Sequence, residues 1–185
     1  MSFTKTDIPG LLLFEPKVFG DDRGHFFESF NEKVFAEAGI NARFVQDNQA
    51  FSSRGVLRGL HYQRMPYTQA KLVRVLDGEV LDVVVDIRKK SPTYGQVFSL
   101  LLSGENKRQL FVPRGFAHGY VVLSETATFF YKCDNFYSKA HEAGIRPDCP
   151  ELKIDWSFDL AQAIIAERDK SFPEFGKQED WNHSL

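Results

Sequence analysis

The 185-residue chain has only two cysteines, Cys133 and Cys149, and neither belongs to a CxxC pair. That usage speaks against a disulfide scaffold, and both thiols read as reduced residues of a cytoplasmic protein. No apolar run approaches the roughly 20 residues needed to span a bilayer. The opening MSFTKTDIPG lacks the basic-then-apolar pattern of a secretory signal. Neither sign of charge dominates. The 23 Lys+Arg against 25 Asp+Glu leave −2, which argues against a general binder of nucleic acid or acidic membrane. There is no Gly-rich dinucleotide motif, internal repeat, low-complexity segment or linker. One domain over 1–185, large enough for a well-buried core, is therefore expected. Phenylalanine is abundant, at 18 residues, which fits a β-rich core or a subunit interface.

Residues 11–19 (LLLFEPKVF) read as a strand broken at Pro16. Asn31 to Ala38 reads as a short helix with Asn31 as N-cap and Gly39 as stop. Short apolar runs separated by turn signals follow, at 43–51, 55–63, 70–76, 79–88, 95–102, 108–113, 116–123 and 126–134. This spacing belongs to an antiparallel sandwich or barrel. Asp77-Gly78 predicts a two-residue hairpin in which Leu76 faces Glu79, Val73 faces Asp82 and Lys71 faces Val84. Alternation then sets Lys71, Val73 and Val75 on one face with Val80, Asp82 and Val84. Ser138 to Pro150 reads as a loop. Asp159 to Asp169 reads as a helix with Leu160, Ala163, Ile164 and Glu167 on one stripe. Beyond Ser171 the pattern is polar and irregular.

Two strand-like segments contain histidine: Val56-Leu57-Arg58-Gly59-Leu60-His61-Tyr62-Gln63 and Val112-Pro113-Arg114-Gly115-Phe116-Ala117-His118-Gly119-Tyr120. Each has an arginine close by, which suggests a pocket that grips an anion and moves a proton. His61 reads either as a hydrogen-bonded core residue or as a general base, since imidazole titrates near pH 6.5. Strict alternation separates Arg58 from His61, so a shared pocket requires a bulge or kink at Gly59. Asp21-Asp22-Arg23-Gly24 before Phe26-Phe27-Glu28 is a solvated turn or a phosphate-contacting loop. Tyr131 reads as a core aromatic or, less readily, as a catalytic phenol.

The spacing PxGxxH over Pro113–His118 resembles the second motif of the cupin superfamily. Where metal cupins carry HxH, this chain has His61-Tyr62-Gln63. Two imidazoles fall short of the three protein ligands usual for a transition metal, so no metal is expected.

Taken together, several segments resemble the dTDP-4-dehydrorhamnose 3,5-epimerase family. They include Asp22-Arg23-Gly24, Phe27-Glu28, Phe44-Val45-Gln46-Asp47-Asn48, Arg58-Gly59-Leu60-His61-Tyr62-Gln63 and Lys71-Leu72-Val73-Arg74-Val75. Pro113-Arg114-Gly115-Phe116-Ala117-His118-Gly119, Tyr131-Lys132-Cys133, Gly144-Ile145 and Asp155-Trp156 continue the series in family order. The resemblance implies a mainly β, cupin-type antiparallel jelly-roll barrel with short flanking helices. It implies a cofactor-free, metal-independent homodimer whose N-terminal strands cross to the partner. It also implies inversion of C3 and C5 of dTDP-4-dehydro-6-deoxy-D-glucose, a step of dTDP-L-rhamnose biosynthesis.

By the same resemblance His61 is the base, Tyr131 the opposing acid, Asp169 the partner of the histidine and Lys71 the cation beside the C4 oxygen. Arg23, Glu28, Gln46 and Asn48 resemble nucleotide and sugar contacts, as do Arg58, His118, Glu142 and Arg168. Tyr137 and Phe19 are candidates for stacking on thymine. Near its end the family commonly reads Leu-Ser-Glu-Lys-Asp, whereas this chain has Ile165-Ala166-Glu167-Arg168-Asp169. The ammonium is thus replaced by a planar guanidinium, and a hydroxyl is lost at Ala166.

Overall fold

The computed structural model describes residues 2–182. The chain opens with β1 (Ser2–Lys5), β2 (Leu12–Glu15), β3 (Phe19–Asp21), β4 (Gly24–Phe26) and the helix α1 (Glu32–Glu37). The main strands follow: β5 (Gln46–Ser53), β6 (Val56–Gln63), β7 (Lys71–Asp77), β8 (Glu79–Asp86), β9 (Val97–Ser103), β10 (Gln109–Val112), β11 (Phe116–Val122) and β12 (Thr126–Cys133). The rest carries β13 (Glu142–Gly144), β14 (Ile164–Ile165) and the one-turn helix α2 (Glu167–Lys170). α1 starts where the sequence placed it, with the Asn31 side chain accepting from the Val34 amide at 3.2 Å. Among the described residues no helix is long and apolar enough to cross a membrane.

Two sheets pack face to face as a cupin-type jelly roll. The first runs β1-β2-β10-β7-β12-β5 and the second β13-β6-β11-β8-β9, with β14 beside β6. Their inner faces interdigitate through Val73, Val75, Leu110 and Phe129 from one side and Val80, Val84 and Val122 from the other. Three layers of apolar side chains result, because each sheet is also covered outside. The outer face of the second sheet, with Leu57, Leu81, Val83 and Val85, lies under Ile145, Leu152 and Trp156. Burial on both faces explains the unbroken valine run of β8. The outer face of the first sheet lies partly under α1, where Phe14 and Phe35 meet at 4.9 Å. Much of the phenylalanine excess is thus packing.

Two expectations are corrected. Asp77-Gly78 does not close a hairpin: β7 pairs with β10 and β12, whereas β8 pairs with β11 and β9. Gly78, at φ +78°, carries the chain from one sheet to the other, in a space where a Cβ would lie 2.1 Å from the Thr126 carbonyl oxygen. The positive φ expected of Gly78 is present, but strand partners are chosen by tertiary packing. The face assignment survives for a different reason, since β7 and β8 point their alternate residues at the same interior from opposite walls. The helix expected over 159–169 is also absent. Asp159 caps only a 3₁₀ turn at Leu160–Gln162, and Ile164 donates its amide to the Gly55 carbonyl. The start of β6 captures Ile164–Ile165 as a parallel strand and leaves only Glu167–Lys170 helical. In the segment read as a loop over 138–150, β13 adds to the free edge of β6.

The kink required at Gly59 is present. Its φ is +135°, and the register between β6 and β11 shifts between His118 and Tyr120. The backbones approach so closely that a Cβ on Gly59 would stand 2.5 Å from the Gly119 Cα. Arg58 and His61 consequently line one cavity. Gly59→Ala is expected to cost about 2 kcal/mol or more of stability. Urea denaturation checks this, and an unchanged midpoint would contradict it.

Candidate active site

A cavity of about 590 Å³ opens between the sheets at the end where β6, β7, β11 and β12 converge. On the second sheet, His61 Nε2 lies 2.9 Å from Asp169 Oδ1. The carboxylate is almost fully buried, and its Oδ2 accepts from the Gly59 amide at 3.1 Å. Burial pushes the Asp169 carboxyl upward, but the bonds from His61, Gly59 and Arg168 outweigh it and hold the group below its ordinary range. Arg168 donates to Asp169 Oδ1 at 3.1 Å and to Glu142 Oε2 at 2.8 Å, and its Nη2 stands 3.3 Å from His61 Nε2. Phe172 presses on the His61 ring edge-on at 5.7 Å. It fills the space beside Gly144 that any Cβ there would take.

On the first sheet, Tyr131 and Lys71 stand on neighbouring strands, with Lys71 Nζ 5.8 Å from the phenol ring centroid. Burial pushes the Tyr131 hydroxyl up to about 12, so it is neutral at ordinary pH. Burial pushes the Lys71 ammonium below its usual range, while the neighbouring Cys133, Asp82 and Glu142 act to keep it charged. The imidazole and the phenol therefore come from opposite walls of one cavity, with an ammonium beside the phenol.

The floor contains a second histidine–carboxylate pair. His118 Nε2 lies 2.8 Å from Asp82 Oδ2, and both side chains are buried. The Phe129 ring, at 6.0 Å from His118, is stacked at 4.1 Å on Tyr120. Arg58 lines the wall and donates to Ser52 Oγ at 3.2 and 3.1 Å. A contiguous recess of about 200 Å³ adds Gln46 and Asn48, joined by a 3.0 Å hydrogen bond. Tyr137, half-exposed at the rim, donates to Glu142 at 2.9 Å. Among the described residues no three His, Cys, Asp or Glu side chains gather as metal ligands.

A family model described as dTDP-4-dehydrorhamnose 3,5-epimerase matches residues 5–177. The chain belongs to this epimerase family. A relative from Shigella flexneri, named dTDP-4-dehydrorhamnose 3,5-epimerase, is 54% identical over 95% of this chain and 96% of its own. The crystal structure of such an epimerase from Elizabethkingia anophelis superposes with a TM-score of 0.91 at 52% identity, covering 95% of this chain and 96% of that one. A 3,5-epimerase from Legionella pneumophila, solved in complex with dTDP-4-keto-L-rhamnose, gives a TM-score of 0.93 at 46% identity over 100% and 99% of the two chains.

Most of the residues singled out in this epimerase do converge. His61, Tyr131, Lys71, Asp169, Arg58, His118, Glu142 and Arg168 line the cavity, with Gln46 and Asn48 in its recess. Three do not. Arg23 is exposed and paired with Asp21 on the β3–β4 hairpin, Phe19 lies on the same hairpin, and Glu28 accepts from Asn31. The idea that each histidine brings an arginine into the pocket is corrected for Arg114. That side chain bonds Asp134 at 3.0 Å and is absent from the lining. Asp82 was overlooked as a site residue, although a carboxylate inside the run Val80-Leu81-Asp82-Val83-Val84-Val85 is a visible anomaly. Ala166 also borders the cavity, where the lost hydroxyl leaves the lining apolar.

Burial, with Lys71 and His61 acting in the same direction, pushes the His118 imidazole below its ordinary value despite the carboxylate beside it. The unfolded chain takes up this proton as pH falls through about 6.5 and the folded chain only at lower pH. This histidine's contribution to stability is therefore complete above that value and is lost on acidification. Nitrogen-15 NMR at pH 6.5 should find the His118 ring mostly neutral, and a ring mostly protonated at that pH would contradict the assignment.

Proposed function

We propose that this chain inverts C3 and C5 of dTDP-4-dehydro-6-deoxy-D-glucose to give dTDP-4-dehydro-L-rhamnose, a step toward dTDP-L-rhamnose. One observation carries the reading: His61 and Tyr131 face each other from opposite sheets across a single cavity, with the Lys71 ammonium beside the phenol. The ligand held by the Legionella relative supports the substrate class.

The chemistry follows from the ketone. A C–H bond adjacent to a carbonyl is acidic because its anion spreads onto oxygen, and C3 and C5 both adjoin C4. His61 takes the proton from one face of the ring, and Asp169 stabilises the resulting imidazolium. Lys71 meets the charge developing on the C4 oxygen in a poorly solvated cavity, where its pull is strong. Tyr131 returns a proton to the opposite face, which is what inverts the centre. A single base would require the sugar to turn over, and an anchored pyrophosphate resists that. Arg58 and Arg168 are suited to the anionic part, because guanidinium groups bind phosphate oxygens in pairs. Every proton movement is assigned to a side chain, so no cofactor or metal enters.

The reading includes a homodimer. Phe19 and Phe26 on the β3–β4 hairpin are 54% and 71% exposed, and Arg23 beside them is open to solvent. In a dimer this arm is free to bring Arg23 and Glu28 to the nucleotide end of the partner's cavity, with Phe19 or the rim residue Tyr137 against thymine. β1 and β2 pair within their own chain on the edge of the first sheet, so the hairpin is the segment best placed to cross. Two free cysteines fit a cytoplasmic setting.

Proton NMR of the keto-sugar in heavy water tests the reaction, with loss of the C3 and C5 signals expected. His61→Ala should lower that exchange about 10³-fold while dTDP still binds; retained exchange would remove His61 as the base. Tyr131→Phe should keep part of the exchange but yield little inverted product, and undiminished epimerisation would overturn its role as acid. Lys71→Gln should lower kcat about 10²-fold with little change in KM. A variant with normal kcat would show that the enolate is stabilised elsewhere.

A further inference from the structure

Asp82 stands behind His118, outside the residues that line the cavity. It is fully buried on the interior face of β8 between Val80 and Val84, and its Oδ2 meets His118 Nε2 at 2.8 Å. Its Oδ1 is buried with no hydrogen-bond partner. A carboxylate kept for stability alone has its oxygens satisfied, as Asp86 on the same strand does through Arg88, Ser91 and Thr93. Lys71 is a cation within electrostatic reach of Asp82.

The pairing determines what His118 offers to a ligand. An ionised carboxylate can only accept, so a neutral imidazole bonded to it carries its single proton on Nε2. The ring's Nδ1 then bears a lone pair. It has no protein partner among the described residues, and it is not sealed away from the cavity that His118 lines. A histidine in this state does not attract phosphate. It accepts a hydrogen bond from a donor.

We infer that Asp82 is a positioning residue that fixes the His118 tautomer, so that His118 Nδ1 accepts a hydrogen bond from a hydroxyl of the substrate's sugar ring. The inference rests on the epimerase reading and deepens it by making one contact specific for a hydroxyl donor. It also gives the unpartnered oxygen a consequence. In Asp82→Asn the amide oxygen is drawn toward the Lys71 ammonium, which turns the NH₂ group toward His118 Nε2. That reverses the tautomer and converts Nδ1 from acceptor to donor.

Two measurements test this. Nitrogen-15 NMR of histidine-labelled, ligand-free protein at pH 7.5 should find His118 with a protonated Nε2 and a bare Nδ1, and the reverse in Asp82→Asn. A wild-type ring protonated on Nδ1, or averaging between tautomers, would overturn the inference. In the second, keto-sugar analogues with the C2 or the C3 hydroxyl replaced in turn by fluorine keep the size of the group but cannot donate. One of them should lose about tenfold or more in kcat/KM with wild-type enzyme. Most of that discrimination should vanish in Asp82→Asn. Should Asp82→Asn fail to fold, His118→Phe must show the same loss of discrimination. Equal discrimination in wild type and variant would sink the inference. An enzyme that never exchanges deuterium would instead overturn the epimerase reading, while leaving the tautomer of the free protein as an independent result.

Discussion

The Asp169 carboxylate accepts at both oxygens, from the Gly59 amide through one and from the His61 ring through the other. The site depends on this two-point clamp. It ties the short α2 to the middle of β6, where Gly59 bends the strand enough for Arg58 and His61 to face the same space. An imidazole on a strand has rotational freedom about its side chain. Fixed by a buried acceptor on one side and the edge of Phe172 on the other, it loses that freedom before any ligand arrives. Arg168 belongs to the same cluster and bridges Asp169 to Glu142, so charge balance around the base is set by groups on α2 and β13 together. The planar fork of arginine suits this bridge better than an ammonium does.

Across the cavity the governing effect is burial. The Tyr131 phenol is driven toward weaker acidity and the Lys71 ammonium toward easier deprotonation, both because the sheets exclude water around them. For proton return these shifts are compatible. A phenol that stays neutral retains the proton it is to give, and a cation in a poorly solvated place acts strongly on charge forming beside it. Asp82 offsets the tendency of Lys71 to lose its charge, so a residue that reaches no ligand still shapes the field inside the cavity.

Much of this was legible in the residues. Eight central strands could be located as short apolar runs between turn signals, because strands covered on one or both faces leave compact apolar segments that the turns interrupt. The bend at Gly59 could be required in advance, since Arg58 and His61 otherwise point apart. What failed was decided by distant partners. Asp77-Gly78 has hairpin chemistry, yet nothing local says whether the strands it joins pair with each other or with β10 and β11. Ile164–Ile165 fits a weak helical stripe until the exposed edge of β6 offers its backbone a better use. β13 is three residues long, and Glu142 reaches the cavity because β13 pairs farther along the same edge of β6 that holds Ile164–Ile165. Asp82 was visible as an oddity among valines, but its meaning needed the neighbouring histidine.

The passage of the chain between sheets at Gly78 has a consequence of its own. Tyr131 and His61 belong to different walls, and no single turn or hairpin holds both. A half-assembled chain would thus possess every reactive group and still be chemically silent, because imidazole and phenol confront one another only after the walls have closed. In this topology reactivity arrives with closure and not before it.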